Sequence, residues 1–253
     1  MCKKLNRIQK TVYLFLMSFY YEDSKKVRKE INTPWGIIIP KVELFPVAYI
    51  VILYGLIYFL PLNIFDNWSK GEDGPVEWLQ FILYFLSFIC SFFVTLRIRK
   101  NGKQFFFWLL MTLFCFYIAG EEISWAERIT NIGIESIRQI NAQGETNLHN
   151  IPIFQNYLHF SFIITGLFFG WIGWKNWPQI EAFPARKFSL YFLFVSLFYT
   201  YFDLSWITLG ERIRNDQEAI EILMAIGLFR HSSYFALKYF SIKSKYVLSK
   251  DNY

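Results

Sequence analysis

Ala119–Pro152 reads AGEEISWAERITNIGIESIRQINAQGETNLHNIP. It is the longest break between apolar runs and the stretch richest in acids, amides and histidine. On both sides the chain returns to long runs dominated by Phe, Leu, Ile and Tyr. An acid- and amide-bearing loop set between hydrophobic helices is the pattern of a membrane bundle rather than of a soluble core.

Composition agrees. Of 253 residues 54% are hydrophobic and 21% aromatic, with 29 Phe, more apolar surface than a soluble domain of this size covers. Several runs approach the roughly 20 residues that span a bilayer core. The sequence predicts an all-α polytopic bundle of about six spans, at Val42–Leu62, Val76–Leu96, Phe105–Trp125, Asn156–Trp174, Phe188–Leu209 and Glu218–Phe240. Residues 1–41 are basic and amphipathic, with the aromatic patch Thr11–Tyr21 too short to span, and are predicted to lie on the cytoplasmic leaflet. The bundle is assigned 42–241 with an outer loop at 121–155, and 242–253 forms a basic tail.

The net charge of +6 sets topology rather than partner. Arg97, Arg99, Lys100 and Lys103 crowd one short loop, Lys175, Arg186 and Lys187 another, and Lys243, Lys245 and Lys250 the tail. The loops near 66–77, 121–150 and 211–221 are net acidic. The positive-inside rule then predicts an inner-membrane protein with both termini cytoplasmic and the acid-rich loop on the outer face. No basic recognition motif accompanies the charge, so no nucleic-acid partner is expected. Cys2, Cys90 and Cys115 have no metal-ligand spacing and read as apolar filler.

On a helix continued through the motif, Glu121, Ser124, Trp125 and Arg128 would share one face, with Glu122 about 100° around and Arg128 within reach of Glu121 or Glu127. One reading is a solvated helix cap. The other places a carboxylate in a cavity as acid, base or ligand, because Glu77, Asp203 and Glu221 also fall at outer-face helix ends. The catalytic candidates are Glu121, Glu122, Arg128 and His149, the last as proton carrier. The substrate-binding candidates are Gln143, Glu145, Asn147, Asn150 and Trp125, with Glu77, Asp203 and Glu221. The amide-rich run could equally be a loop bonded to itself. Glu122, His149 and His159 are the candidates for a divalent metal, but no closely spaced His pair supports one, and the cofactor stays unassigned.

Two short echoes hint at an internal repeat. GEEISWAERI ends the third predicted helix and FDLSWITLGERI the fifth, aligning Glu122, Ser124, Trp125, Glu127 and Arg128 with Asp203, Ser205, Trp206, Glu211 and Arg212. EDGPVEWL and DQEAIEIL open the second and sixth helices alike, at Glu77 and Glu221. Repeats with a site at their interface are common in membrane proteins. Recurrence of Trp and charge at helix ends is the simpler account.

The block resembles a family of uncharacterised bacterial multi-pass inner-membrane proteins with the pattern Glu-Glu-x-Ser-Trp-Gly-Gln-Arg, then Asn-x-Gln-Gly-Glu-x-Asn-Leu-His-Asn. Glu121, Glu122, Ser124, Trp125 and Arg128 match the first half, and Asn141, Gln143, Gly144, Glu145, Asn147, Leu148, His149 and Asn150 the second. Ala126 and Glu127 stand where that pattern has Gly-Gln. The resemblance implies a multi-pass membrane fold and no particular activity. A slighter similarity to alkaline-ceramidase-like membrane hydrolases lacks their paired histidines, since His231 stands alone.

Three functions follow as expectations. The first is an enzyme acting on a lipid or lipid-linked substrate by acid–base or metal-assisted hydrolysis or transfer. The second is a proton- or cation-coupled transporter. The third is a non-enzymatic scaffold or assembly factor docking a membrane protein partner.

Overall fold

The computed structural model describes residues 42–59, 74–205 and 217–250, with backbone alone at 155–156, 202–205, 217 and 241–250. The predicted interfacial segment 1–41 and the end of the chain beyond Lys250 lie outside the described residues. Every regular element described is helical. The six longer ones are α1 (Phe45–Phe59), α2 (Pro75–Ile98), α3 (Gly102–Glu122), α4 (Pro152–Leu167), α5 (Ser189–Ser205) and α6 (Gln217–Lys250). Among the described residues, three helical runs are long and apolar enough to cross a membrane: α2, α3 and the run Pro152–Asn176 that α4 opens. Such runs are compatible with a membrane protein, because helices satisfy their own backbone groups where water cannot.

Local chemistry sets the helix ends. Pro75 starts α2, where its missing N–H costs nothing, and Glu77 and Arg97 sit at the ends of opposite dipole sign. The turn at 99–101 is too short for anything but an antiparallel return, so α3 packs along α2. The Thr95 and Thr112 hydroxyls meet at 3.0 Å across that contact, a polar link inside an apolar pair. α6 lies against α2, and α5 packs on both α4 and α6. The core at their junction holds Tyr84, Trp108, Phe188, Tyr191, Phe192, Leu223 and Leu228, all fully buried. Gly166 allows the close approach of α4 to α5: a Cβ there would stand 2.7 Å from the Phe192 carbonyl oxygen. Outward, α2 exposes Leu79, Ile82, Phe85, Leu86 and Ile89, as a lipid-facing helix does.

Three boundaries differ from expectation. α3 ends at Glu122 rather than running through Trp125, because Ser124, Trp125 and Ala126 adopt φ of 47°, 54° and 71°. α4 starts at Pro152, earlier than the expected Asn156, with proline at its first position. α6 continues to Lys250, past the expected end at Phe240, because leaving the apolar layer does not by itself end a helix. Of the suspected repeat, Trp206, Glu211 and Arg212 lie outside the described residues, as does the side chain of Asp203.

Candidate functional site

The left-handed turn at Ser124–Ala126 organises everything above it. Left-handed backbone costs an L-residue about 1–2 kcal/mol, and local contacts offset it. The Trp125 indole N–H donates to Glu121 Oε1 at 2.6 Å, and its ring meets Phe116 and Tyr117 edge-on. The ring also covers Gly120 so closely that a Cβ would come within 2.9 Å of it. Ser124, fully buried, donates its hydroxyl to Glu145 Oε2 at 2.6 Å. The expected shared face of Glu121, Ser124, Trp125 and Arg128 therefore does not exist, since the helix stops before it is built.

The second half of the motif folds back onto the first. Asn141 Oδ1 accepts the backbone N–H of Gln143 at 2.9 Å and of Glu145 at 3.3 Å, while its Nδ2 donates to Asn147 Oδ1 at 2.7 Å. Gly144 supplies the left-handed step of this turn at φ 72°. Asn147 is completely buried and donates to Glu145 Oε2 at 2.7 Å and Ser124 Oγ at 3.1 Å. The N–H groups of Leu148 and His149 close on Glu121 Oε2 at 2.7 and 3.0 Å, with His149 Nδ1 at 3.4 Å. Gln143 accepts from the Asn150 side chain.

Arg128 joins this loop to α2. Its side chain, 6% exposed, bonds to Glu77 and at 3.1 Å to Glu145, not to Glu121 or Glu127 as its sequence position suggested. Burial acts against its charge, but the two carboxylates outweigh that and raise its pKa. Glu127 pairs instead with Arg138 and accepts the Thr146 N–H at 2.7 Å. Desolvation pushes the Glu127 carboxyl up, yet the bonds from Thr146 and Arg138 hold it below the usual range.

Beside this network lies a cavity of about 620 Å³ between α3, α4, α5 and α6. Its walls are apolar at Phe114, Ile118, Leu158, Phe162 and Met224, and polar where Glu121, Glu122, Glu218, Glu221, His149, His159 and Tyr199 converge. Tyr199 donates its hydroxyl to Glu221, stacks on Phe162 at 4.6 Å and meets His159 edge-on. Among the described residues the side chains of Glu122 and Glu218 make no hydrogen bond or ion pair, and both keep access to the cavity. Tyr117, Phe154 and Tyr157 line the cavity and are also exposed, so it opens sideways at the level of the apolar helix surfaces. A second concavity of about 540 Å³, against Pro152, Ile153, Tyr157 and Phe160, has Tyr157 as its one polar side chain among the described residues. The chemistry points to the first.

The candidates thus separate. Glu122, His149, His159, Glu221 and Asn150 face the cavity, as does Glu121 while already held by three N–H groups. Arg128, Glu77, Glu145, Asn147, Gln143 and Trp125 lie outside its lining and partner one another or the loop. Glu122, His149 and His159 share the cavity, yet the described residues contain no group of three His, Cys, Asp or Glu side chains able to hold a metal ion. Glu218 and Tyr199 are cavity residues that the sequence reading did not single out. Glu218 was legible, since it stands three residues before Glu221 and therefore on the same helical face. Tyr199, inside an apolar run, gave no signal.

No family model, no curated protein and no solved structure matches the chain. The class that the fold defines is an all-helical protein whose described residues include three runs long and apolar enough to cross a membrane, and what it does is read from its own geometry.

Proposed function

We propose that this protein is a membrane-embedded enzyme that acts on a lipid or lipid-linked substrate by side-chain acid–base chemistry. We further read it as a six-span inner-membrane protein with cytoplasmic termini and its site at the outer boundary, the arrangement the loop charges favour. The observation that carries the reading is a cavity that combines apolar walls, a sideways opening and carboxylates free to act. Such a space accepts an acyl or isoprenoid chain along Phe114, Phe162 and Met224 while its head meets Glu122, Glu218 and Glu221.

In this scheme Glu122 takes a proton from the reacting group, having no competing partner among the described residues. Glu221, bonded to the Tyr199 hydroxyl, orients the head. His149, half-buried at the rim, carries the proton between cavity and water. Glu121 positions His149 rather than reacting, because its oxygens already accept three N–H groups. The acids lie at helix ends, Glu122 closing α3 and Glu218 in the first turn of α6. That favours boundary chemistry over a carrier, whose coupling site belongs near the midplane.

The test is turnover. Protein reconstituted in nanodiscs with a total bacterial lipid extract should form a product, detected by mass spectrometry, that Glu122→Gln abolishes. A product formed equally by Glu122→Gln and by His149→Ala would sink the acid–base assignment.

A further inference from the structure

Residues 127–140 present a surface turned inside out. Four of the five isoleucines there are exposed: Ile129 at 59%, Ile132 at 78%, Ile134 at 54% and Ile140 at 58%. Of the five charged side chains in 127–145, only Glu135 is fully exposed; Glu127, Arg128, Arg138 and Glu145 are half-buried in ion pairs with one another or with Glu77, Arg138 keeping 32% exposure. A loop surrounded by water does the opposite, because hydration rewards exposed charge and burial rewards isoleucine. The inversion is also fixed in place. Arg138 bonds Glu127, Glu127 accepts from Thr146, Thr146 Oγ1 accepts from the Ile134 N–H at 2.8 Å, and Arg128 ties the segment to α2. The isoleucines cannot turn inward without breaking these bonds.

We infer that this segment is seated in the boundary layer of the bilayer, its isoleucines among the lipid chains, rather than standing in water as an outer loop. Continuity chooses lipid as the occupant. The segment leaves α3 at Glu122 and its loop re-enters at Pro152, the ends of two runs long and apolar enough to cross a membrane. Trp125 before it and Ile153, Phe154 and Tyr157 after it are exposed as well. Aromatic and aliphatic side chains together at such a level are the mark of an interface with lipid. Leu148, Phe154 and Tyr157, which line the cavity, are exposed too. The inference rests on the membrane-spanning helices and holds whether or not Glu122 transfers a proton.

Native full-length protein in liposomes tests it without substitution. One sample is photolabelled with a bilayer-partitioning diazirine and a parallel sample is oxidised by hydroxyl radicals from the water phase, with both mapped by peptide mass spectrometry. Tyr157, 70% exposed on α4, is the lipid reference, and a synthetic peptide of residues 127–146 in water is the water reference. The expected result is diazirine labelling of 129–140 comparable with Tyr157, together with isoleucine oxidation far below that of the peptide. Oxidation of 129–140 at the level of the peptide, without diazirine labelling, would overturn the inference. So would protection from both reagents, which would mean that a protein surface covers the segment instead.

Discussion

Glu121 and Glu122 are neighbours in the chain and opposites in the structure. Glu121 accepts from the Trp125 indole and from the Leu148 and His149 backbone, and so holds the outer loop on the end of α3. Glu122, one residue on, faces the cavity with no bond from a described residue. The same contrast separates two regions of the molecule. In the loop network, acids, amides and Arg128 satisfy one another. In the cavity, acids gather against apolar walls. A buried polar group costs stability unless partnered, so the first region is what fixes the structure and the second is what remains available for chemistry.

The strongest way to break this contrast is Arg128→Ala. It leaves Glu77 and Glu145 without their shared cation and should cost about 3–5 kcal/mol, toward the lower end because both carboxylates keep some solvent contact. Glu122→Gln, which breaks no bond from a described residue, should cost far less than Arg128→Ala while abolishing turnover. Thermal unfolding in nanodiscs checks both. An unchanged melting temperature for Arg128→Ala would dissolve the distinction between the regions.

The neighbouring glutamates can then be compared directly. Glu121→Gln turns one acceptor oxygen into a donor facing N–H groups and should cost about 1–3 kcal/mol. Hydrogen exchange should quicken at the Leu148 and His149 amides in that variant and stay unchanged in Glu122→Gln. Equal exchange in the two would mean that Glu121 does not hold the loop.

The two regions were unequally legible. A longer helix is described at each of the six expected positions, and three of the described runs are long and apolar enough to cross a membrane. Hydropathy misplaced the end of α3 because three consecutive non-glycine residues at positive φ leave no compositional trace. Arg128 was paired with its neighbours in sequence, whereas its partners come from Glu77 and Glu145, brought together only by packing α3 on α2. Asn147 entered the substrate-binding set as part of an amide-rich run. It is instead buried inside the loop, a placement that depends on Ser124 and Glu145 meeting. Glu121 in the first block and Leu148 and His149 in the second are joined by hydrogen bonds across 27 and 28 positions of the chain.

Acid should loosen the loop before it disturbs the helices. The Glu127 carboxyl lies below its usual range in the folded protein, through Thr146 and Arg138 against desolvation. Its contribution is therefore complete above the unfolded carboxylate value of about 4.3 and is lost as pH falls through the lower folded value. Hydrogen exchange at Thr146, whose amide donates to Glu127, should accelerate on acidification through that window. Glu127→Gln should flatten the response. A Thr146 exchange profile with the same acid dependence in both proteins would assign the effect to another group.

The smallest effect tests the turn itself, at two positions with the same handedness. Ala126 stands at φ 71° and Ser124 at φ 47°. Glycine at 126 removes about 1–2 kcal/mol of left-handed strain and adds about 0.4–1 kcal/mol of unfolded-state entropy, so Ala126→Gly should stabilise by up to about 1.6 kcal/mol. Ser124→Gly relieves the same kind of strain but deletes the hydroxyl that donates to Glu145 and accepts from Asn147. Two buried groups then lose a partner, and the sign should reverse to a net loss of about 1–2 kcal/mol. Melting temperatures of the two variants decide it. If both rise, the turn is held by its backbone alone and the side-chain network is incidental; opposite signs mean that the network selects the turn and backbone strain opposes it.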